Sequence, residues 1–201
     1  MIHLVPLGPE HAEQILHGQD QSLADEVFGV RWEAETLDAF LRRAERWRAD
    51  GPLREFAAMA PAGEVTEHAD AIDHVHSRRA TAPAGRPAAT GSGAHHLTGG
   101  GGLHLLGSGL DRGQAALTYW VLPAHRGRGL GARIAGALVQ RARRETRIVE
   151  LVLRIAPGNS ASQAVARGIG ARPLRTGHAT VTERHPADAA RLVERWTLPL
   201  R

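Results

Sequence analysis

Residues 119–133 read Tyr-Trp-Val-Leu-Pro-Ala-His-Arg-Gly-Arg-Gly-Leu-Gly-Ala-Arg. An apolar run stops at Pro123, glycines follow at Gly127, Gly129 and Gly131, and a helical pattern begins there. This is the layout of a strand, a glycine-rich turn and a helix N-terminus. Such a turn presents unpaired main-chain N–H groups at the positive end of a helix dipole, where a phosphate binds well. Glycine suits it because it accepts positive φ and lets an anion come close to the backbone. Arg126, Arg128 and Arg133 add cations to the same mouth. A plain strand-to-helix turn would use the same glycines, so the motif has to be read against the rest of the chain.

The elements around it are readable from periodicity. Ile2, Leu4 and Val5 form a short first strand, and Pro9-Glu10 opens a helix with Ala12, Ile15 and Leu16 on one face, closed by Gly18. Residues 19–35 are irregular. Leu37, Phe40, Leu41, Ala44 and Trp47 make a helical stripe that Gly51-Pro52 stops. A strand over 54–59 follows. Residues 64–98 hold almost no large apolar side chain, and the expectation is a disordered insert. Order is expected to return at Gly99, with a strand toward Leu106 forming an antiparallel hairpin with residues 115–122. The helix after the glycine turn carries Leu130, Ile134, Ala137, Leu138 and Ala142 on one face. Residues 148–155 alternate as a strand. Asn159 or Ser160 caps a short helix bearing Ala161, Val165 and Ile169. Strands around 179–182 and 192–198 close the chain.

The 201 residues, 42% of them hydrophobic, suit one domain with a real core. Cysteine is absent, which excludes disulfides and thiolate zinc sites. His68, Asp70, Asp73, His74, His76, His95 and His96 follow no metal-ligand spacing, so no metal is expected. All 25 basic residues are Arg, but the net charge is only +4 and aromatics are 4%, which argues against a nucleic-acid surface. With no apolar run of membrane-spanning length and no leader pattern, a cytoplasmic protein is expected.

Taken together, the order of elements and the central turn resemble the GNAT superfamily of N-acetyltransferases. Arg126-x-x-Gly129-x-Gly131 after a strand is similar to that family's acyl-CoA pyrophosphate loop, Arg/Gln-x-x-Gly-x-Gly/Ala. Asn159-Ser160-Ala161-Ser162 through Gly170-Ala171 resembles its second CoA segment. Gly101-Gly102-Leu103 and Tyr119-Trp120 are similar to the branch that holds ribosomal-protein N-terminal acetyltransferases. The resemblance implies an α+β fold in a single domain over residues 1–201. Its central sheet would be mixed and mostly antiparallel, with splayed fourth and fifth strands and helices on both faces. It implies acetyl-CoA as co-substrate and no metal. The backbone of Val121 and Leu122 would pair with the pantetheine arm. N–H groups along Arg126, Gly127, Arg128, Gly129, Leu130 and Gly131 would hold the pyrophosphate, and Asn159 would bond the arm.

Chemistry then asks for a base and an acid. The attacking amine must be neutral, the oxyanion needs fixed donors, and the leaving thiolate needs a proton. The resemblance places Ser162 near the thiol. His104 is the candidate base, and the Val121 N–H a candidate oxyanion donor. Three positions depart from the family pattern: Ala116 replaces a fourth-strand Glu, Ala166 a Tyr acid, and Ala171 an aromatic. The implied activity is acetyl transfer to a primary amine, on a small molecule or a protein N-terminus, by a monomer or homodimer with no nucleic-acid or membrane partner. Two alternatives stay open. One is a non-catalytic CoA-binding or sensor module on the same fold. The other is a dinucleotide-binding domain, disfavoured because Ala132 stands where the third glycine of that motif belongs.

Overall fold

The computed structural model describes residues 2–24, 31–46, 51–61, 95–174, 180–184 and 190–201, with the backbone alone for 180–184, 190 and 191. Eight strands form one sheet: β1 (His3–Pro6), β2 (Leu53–Pro61), β3 (His95–His104), β4 (Gln114–Val121), β5 (Glu150–Ile155), β6 (Arg172–Pro173), β7 (Thr180–Arg184) and β8 (Ala190–Pro199). The helices are α1 (Ala12–Gly18), α2 (Gln21–Leu23), α3 (Ala34–Arg46), α4 (Leu130–Arg143) and α5 (Ser160–Gly168). The order across the sheet is β1-β2-β3-β4-β5-β8-β6, with β7 on β8, and every pairing is antiparallel except β4 with β5. The expected mixed, mostly antiparallel sheet is therefore present. Among the described residues no helix is long and apolar enough to cross a membrane.

Strand periodicity divides the core in two. Phe56, Leu103, Leu117, Leu151 and Leu153 pack with Ile134 and Leu138 of α4 on one face. Ala57, Leu97 and Trp120 pack with Ile15 of α1 and with Leu37 and Leu41 of α3 on the other. Helices thus cover both faces. The stripes read from sequence are the buried ones: Leu37, Leu41 and Ala44 of α3, and Leu130, Ile134, Leu138 and Ala142 of α4. Trp47 lies outside the described residues.

The feature that makes the site is the short β4–β5 ladder. It holds three pairs, Gln114↔Glu150, Ala115↔Leu151 and Ala116↔Val152. Beyond them β4 runs on to Val121 and β5 to Ile155, so the strands part and leave a cleft in the middle of the sheet.

One boundary read from sequence is corrected. Residues 95–98, assigned to the insert, belong to β3, which starts at His95 and ends at His104 rather than near Leu106. Leu97 and Thr98 are fully buried; the Thr98 hydroxyl donates to Ala58 O at 2.9 Å and Leu97 N–H to Gln14 Oε1 at 2.8 Å. The four glycines at 99–102 are a central strand, not a linker, because neighbours fill the space where side chains would stand. A Cβ on Gly100 would lie 2.5 Å from Phe56 O and 2.6 Å from the Trp120 ring. Gly100→Ala is expected to destabilise the fold by about 1–3 kcal/mol, read as a lowered midpoint of thermal unfolding. The insert from 62 to 94 lies outside the described residues.

Candidate functional site

A cavity of about 600 Å³ opens where β4 and β5 part. The glycine turn forms one end. After a single 3₁₀ turn at Pro123–His125, Gly127 and Gly129 take φ of 75° and 69°, and Gly129 becomes the N-cap of α4. Any other L-residue there would carry roughly 1–2 kcal/mol of strain. The first intrahelical bond runs from Arg133 N–H to Gly129 O, so the N–H groups of Leu130, Gly131 and Ala132 have no acceptor within the helix. The first turn of α4 holds no acidic residue. Gly131 is needed for close approach as well: a Cβ there would stand 3.0 Å from Tyr119 Cε2.

Val121, Arg126, Gly127, Gly129, Leu130 and Gly131 all line the cavity, and Arg128 and Leu122 do not. Leu122 turns into the core under α1 and α3, and its N–H donates to Thr98 O at 2.9 Å. Arg126 is also engaged: Nη1 and Nη2 donate to the two carboxylate oxygens of Asp20 at 2.8 and 3.1 Å, and Nε to Val121 O at 3.3 Å. Asp20 in turn caps α2 by accepting from Leu23 N–H at 2.7 Å. Burial pushes the Asp20 pKa up, but these hydrogen bonds and the Arg126 charge outweigh it, and the net shift is downward. The carboxylate therefore stabilises the fold above its unfolded pKa, and that stabilisation is lost as pH falls through the lowered value. Asp20→Ala is expected to cost about 1 kcal/mol in thermal unfolding, nearly all from the cap, because both partners of the ion pair are well exposed.

Beside the turn, His125 packs against His96 with ring centroids 5.1 Å apart. Burial, His96 and Arg128 together lower the His125 pKa, which keeps this imidazole neutral near pH 7.

On the α4/α5 face, Asn159 and Ser162 both line the cavity. Asn159 is the N-cap of α5, with Oδ1 accepting from Ser162 N–H at 2.9 Å. An arm carbonyl would therefore take its bond from Nδ2. Ser162 Oγ accepts from the Tyr119 hydroxyl at 3.0 Å, so the serine's own proton is not used in that bond. Ala166, the position expected from the family resemblance to hold a tyrosine, is fully buried in the core. The phenol at Ser162 comes from Tyr119 on β4. Sequence reading missed Tyr119 as a chemical group; the only signal was its alternation with Trp120 beside a glycine at 131.

On the α1/α3 face, His104 lines the cavity directly across the ladder from Ala116, the position without its family carboxylate. His104 Nε2 lies 2.6 Å from Glu55 Oε1, and both side chains are mostly buried. A carboxylate only accepts, so Nε2 carries the hydrogen and Nδ1 is the basic nitrogen. Burial pulls the His104 pKa down and Arg154 adds to that, but the Glu55 hydrogen bond and charge outweigh them, and the net shift is upward. Glu55 is the second group that sequence reading missed.

Among the described residues no three His, Asp or Glu side chains cluster as metal ligands. Of the histidines and aspartates weighed for such a site, His68, Asp70, Asp73, His74 and His76 lie outside the described residues.

No curated protein matches the chain significantly. Solved structures do match in fold. A spermidine N-acetyltransferase from Vibrio cholerae, in complex with CoA and spermine, superposes with a TM-score of 0.66 at 13% identity, covering 99% of this chain and 95% of that one. An aminoglycoside acetyltransferase in complex with coenzyme A gives 0.67 at 12%, with the same coverage. A ribosomal L7/L12 α-N-protein acetyltransferase in complex with coenzyme A gives 0.67 at 13%, covering 98% and 93%. The family model described as the acetyltransferase (GNAT) domain matches residues 2–172, most of the chain. The protein therefore belongs to the GNAT acetyltransferases, and its enzyme class is N-acetyl transfer.

Proposed function

We infer that the chain binds acetyl-CoA in the opening between β4 and β5 and transfers its acetyl group to a primary amine by direct attack. The observation that supports this best is the placement of two proton-handling pairs on opposite faces of one cleft: Glu55–His104 on one side and Tyr119–Ser162 on the other. Main-chain N–H groups from Arg126 to Gly131 hold the diphosphate, with Arg126 fixed by Asp20 so that the turn is preorganised. Asn159 Nδ2 and the Val121 backbone bond the pantetheine arm.

His104 Nδ1 takes a proton from the bound ammonium, directly or through water. The neutral nitrogen attacks the thioester carbon, and the Val121 N–H stabilises the oxyanion. The C–S bond then breaks as the zwitterionic nitrogen sheds its extra proton to solvent; Ser162 gives its proton to the thiolate while accepting one from Tyr119, whose phenol is restored by a proton from solvent. The products are an acetamide and CoA. The spermidine N-acetyltransferase that shares the fold holds CoA and spermine, and the aminoglycoside acetyltransferase holds coenzyme A, which supports this reading.

The test is calorimetric titration with acetyl-CoA together with a thiol-release assay over a panel of amines. Saturable binding and amine-dependent thiol release are expected. No binding at millimolar acetyl-CoA ends the proposal. Binding without transfer to any amine would favour a CoA sensor, the reading that Ala116 and Ala166 motivate.

A further inference from the structure

Cross-strand register sets three positions side by side on the α1/α3 face of the sheet. Glu55 on β2 is paired with Gly102 on β3, and Gly102 with Thr118 on β4. His104 lies two residues along from Gly102, so strand alternation puts it on the same face. Gly102 contributes no side chain, and its neighbours fill the place. A Cβ there would stand 2.6 Å from Glu55 Oε2 and 2.7 Å from His104 Nε2. The Glu55–His104 pair therefore lies over Gly102, and the imidazole stands across from Thr118.

The two nitrogens of an imidazole point away from one another. With Nε2 held 2.6 Å from Glu55 Oε1 on the β2 side, the basic Nδ1 is turned toward β4, the strand on the other side of β3. Thr118 is the β4 residue at that level. It lies two positions beyond Ala116, the last residue of β4 to pair with β5, so it stands where the cleft has opened. Thr118 is exposed while the rest of β4 is buried or half-buried, and it lines the cavity together with His104. Among the described residues its hydroxyl makes no hydrogen bond.

Side chains directly opposite in an antiparallel pair have Cβ atoms about 4.5–5.5 Å apart. A single nitrogen bonded to two acceptors at about 2.9 Å each spans a gap of that size. We propose that the acceptor's ammonium sits between His104 Nδ1 and Thr118 Oγ1 and donates a hydrogen bond to each, which makes Thr118 a substrate-binding residue. This rests on the acetyl-transfer reading above and names the groups that hold its acceptor nitrogen. His104 Nδ1 takes one proton. The Thr118 hydroxyl only accepts a hydrogen bond and neither gains nor loses a proton. The neutral nitrogen turns its lone pair to the thioester about the N–H that stays bonded to Thr118, so the hydroxyl fixes the approach.

Thr118→Val removes the hydroxyl and keeps the branched shape that suits a strand. With the amine that the wild type acetylates fastest, it is expected to lower kcat/KM by about ten- to a hundredfold, mostly through a raised KM for the amine; this is the range for one hydrogen bond to a charged group. Thr118→Ser is expected to recover most of that loss. Acetyl-CoA affinity by calorimetry and the acidic limb of the kcat/KM profile are expected to stay at their wild-type values, which separates Thr118 from the carrier loop and from the Glu55–His104 pair. Where Thr118→Val does not fold, Thr118→Ala carries the same test. The seat is overturned if kcat/KM is unchanged without the hydroxyl, if Thr118→Ser is as slow as Thr118→Val, or if acetyl-CoA affinity falls in step with activity. Wild-type thiol release with the same amines separates the two levels. Release that ignores the Thr118 substitutions overturns the seat alone, and no release with any amine overturns the acetyl-transfer reading as well.

Discussion

Replacing His104 with Ala is expected to lower kcat/KM for acetyl transfer by about 10²–10⁴-fold, the range for a positioned general base. Acetyl-CoA affinity should change little, since His104 stands on the acceptor face. The sharper test is Glu55→Gln followed as a pH profile. A base works only in its neutral form, and Glu55 holds the His104 pKa above its ordinary value of 6.5. The acidic limb of kcat/KM should therefore lie above that value in the wild type. Removing the Glu55 charge leaves burial and Arg154 unopposed, and the limb should move below it. A limb that stays in place would show that another group, or water alone, takes the proton. The amine's own titration governs the basic limb and cannot mimic this shift.

Ser162→Ala is expected to lower kcat by about 10²-fold with an unchanged KM for acetyl-CoA, because the hydroxyl acts on the leaving thiolate and not on the carrier's resting form. Tyr119→Phe keeps the ring against Gly131 and removes only the hydroxyl. It should cost about tenfold in kcat. The double variant should be no slower than Ser162→Ala alone, since Tyr119 acts through Ser162. Additive losses would show two independent roles, and an unchanged Tyr119→Phe enzyme would remove the phenol from the reaction.

Much of this arrangement is local and was legible in the sequence. A strand stopped by a proline, glycines that need positive φ, and a helix opening without acidic residues are all decided within a dozen residues. So is the Asn159 cap, because a side-chain acceptor three residues before a free N–H is a short-range device. The pairings that give those residues a chemical role are not local. Glu55 and His104 are 49 residues apart, Tyr119 and Ser162 are 43, and Asp20 and Arg126 are 106. Sheet register brings Glu55 to His104, and register depends on which faces are buried; the packing of helices and turns against the sheet brings Tyr119 to Ser162 and Asp20 to Arg126. The start of β3 misled for a related reason: residues 95–98 look like the insert before them, and what makes them a strand is pairing with β2 and the bonds to Gln14 and Ala58. Glycine lowers strand propensity, and at 99–102 the strand is held because Trp120 and the Phe56 backbone fill the space where a side chain would stand. Arg126 read as a free cation because the carboxylate that holds it lies on another element.

The central claim is that main-chain donors at the start of α4 hold the diphosphate of acetyl-CoA and thereby point its thioester into the gap between β4 and β5. A crystal structure of the chain with acetyl-CoA tests it most directly. The account predicts diphosphate oxygens within hydrogen-bonding distance of main-chain nitrogens between Arg126 and Gly131, with the thioester sulfur near Ser162 Oγ. An empty cleft at saturating acetyl-CoA, or a diphosphate lodged away from these nitrogens, would contradict it.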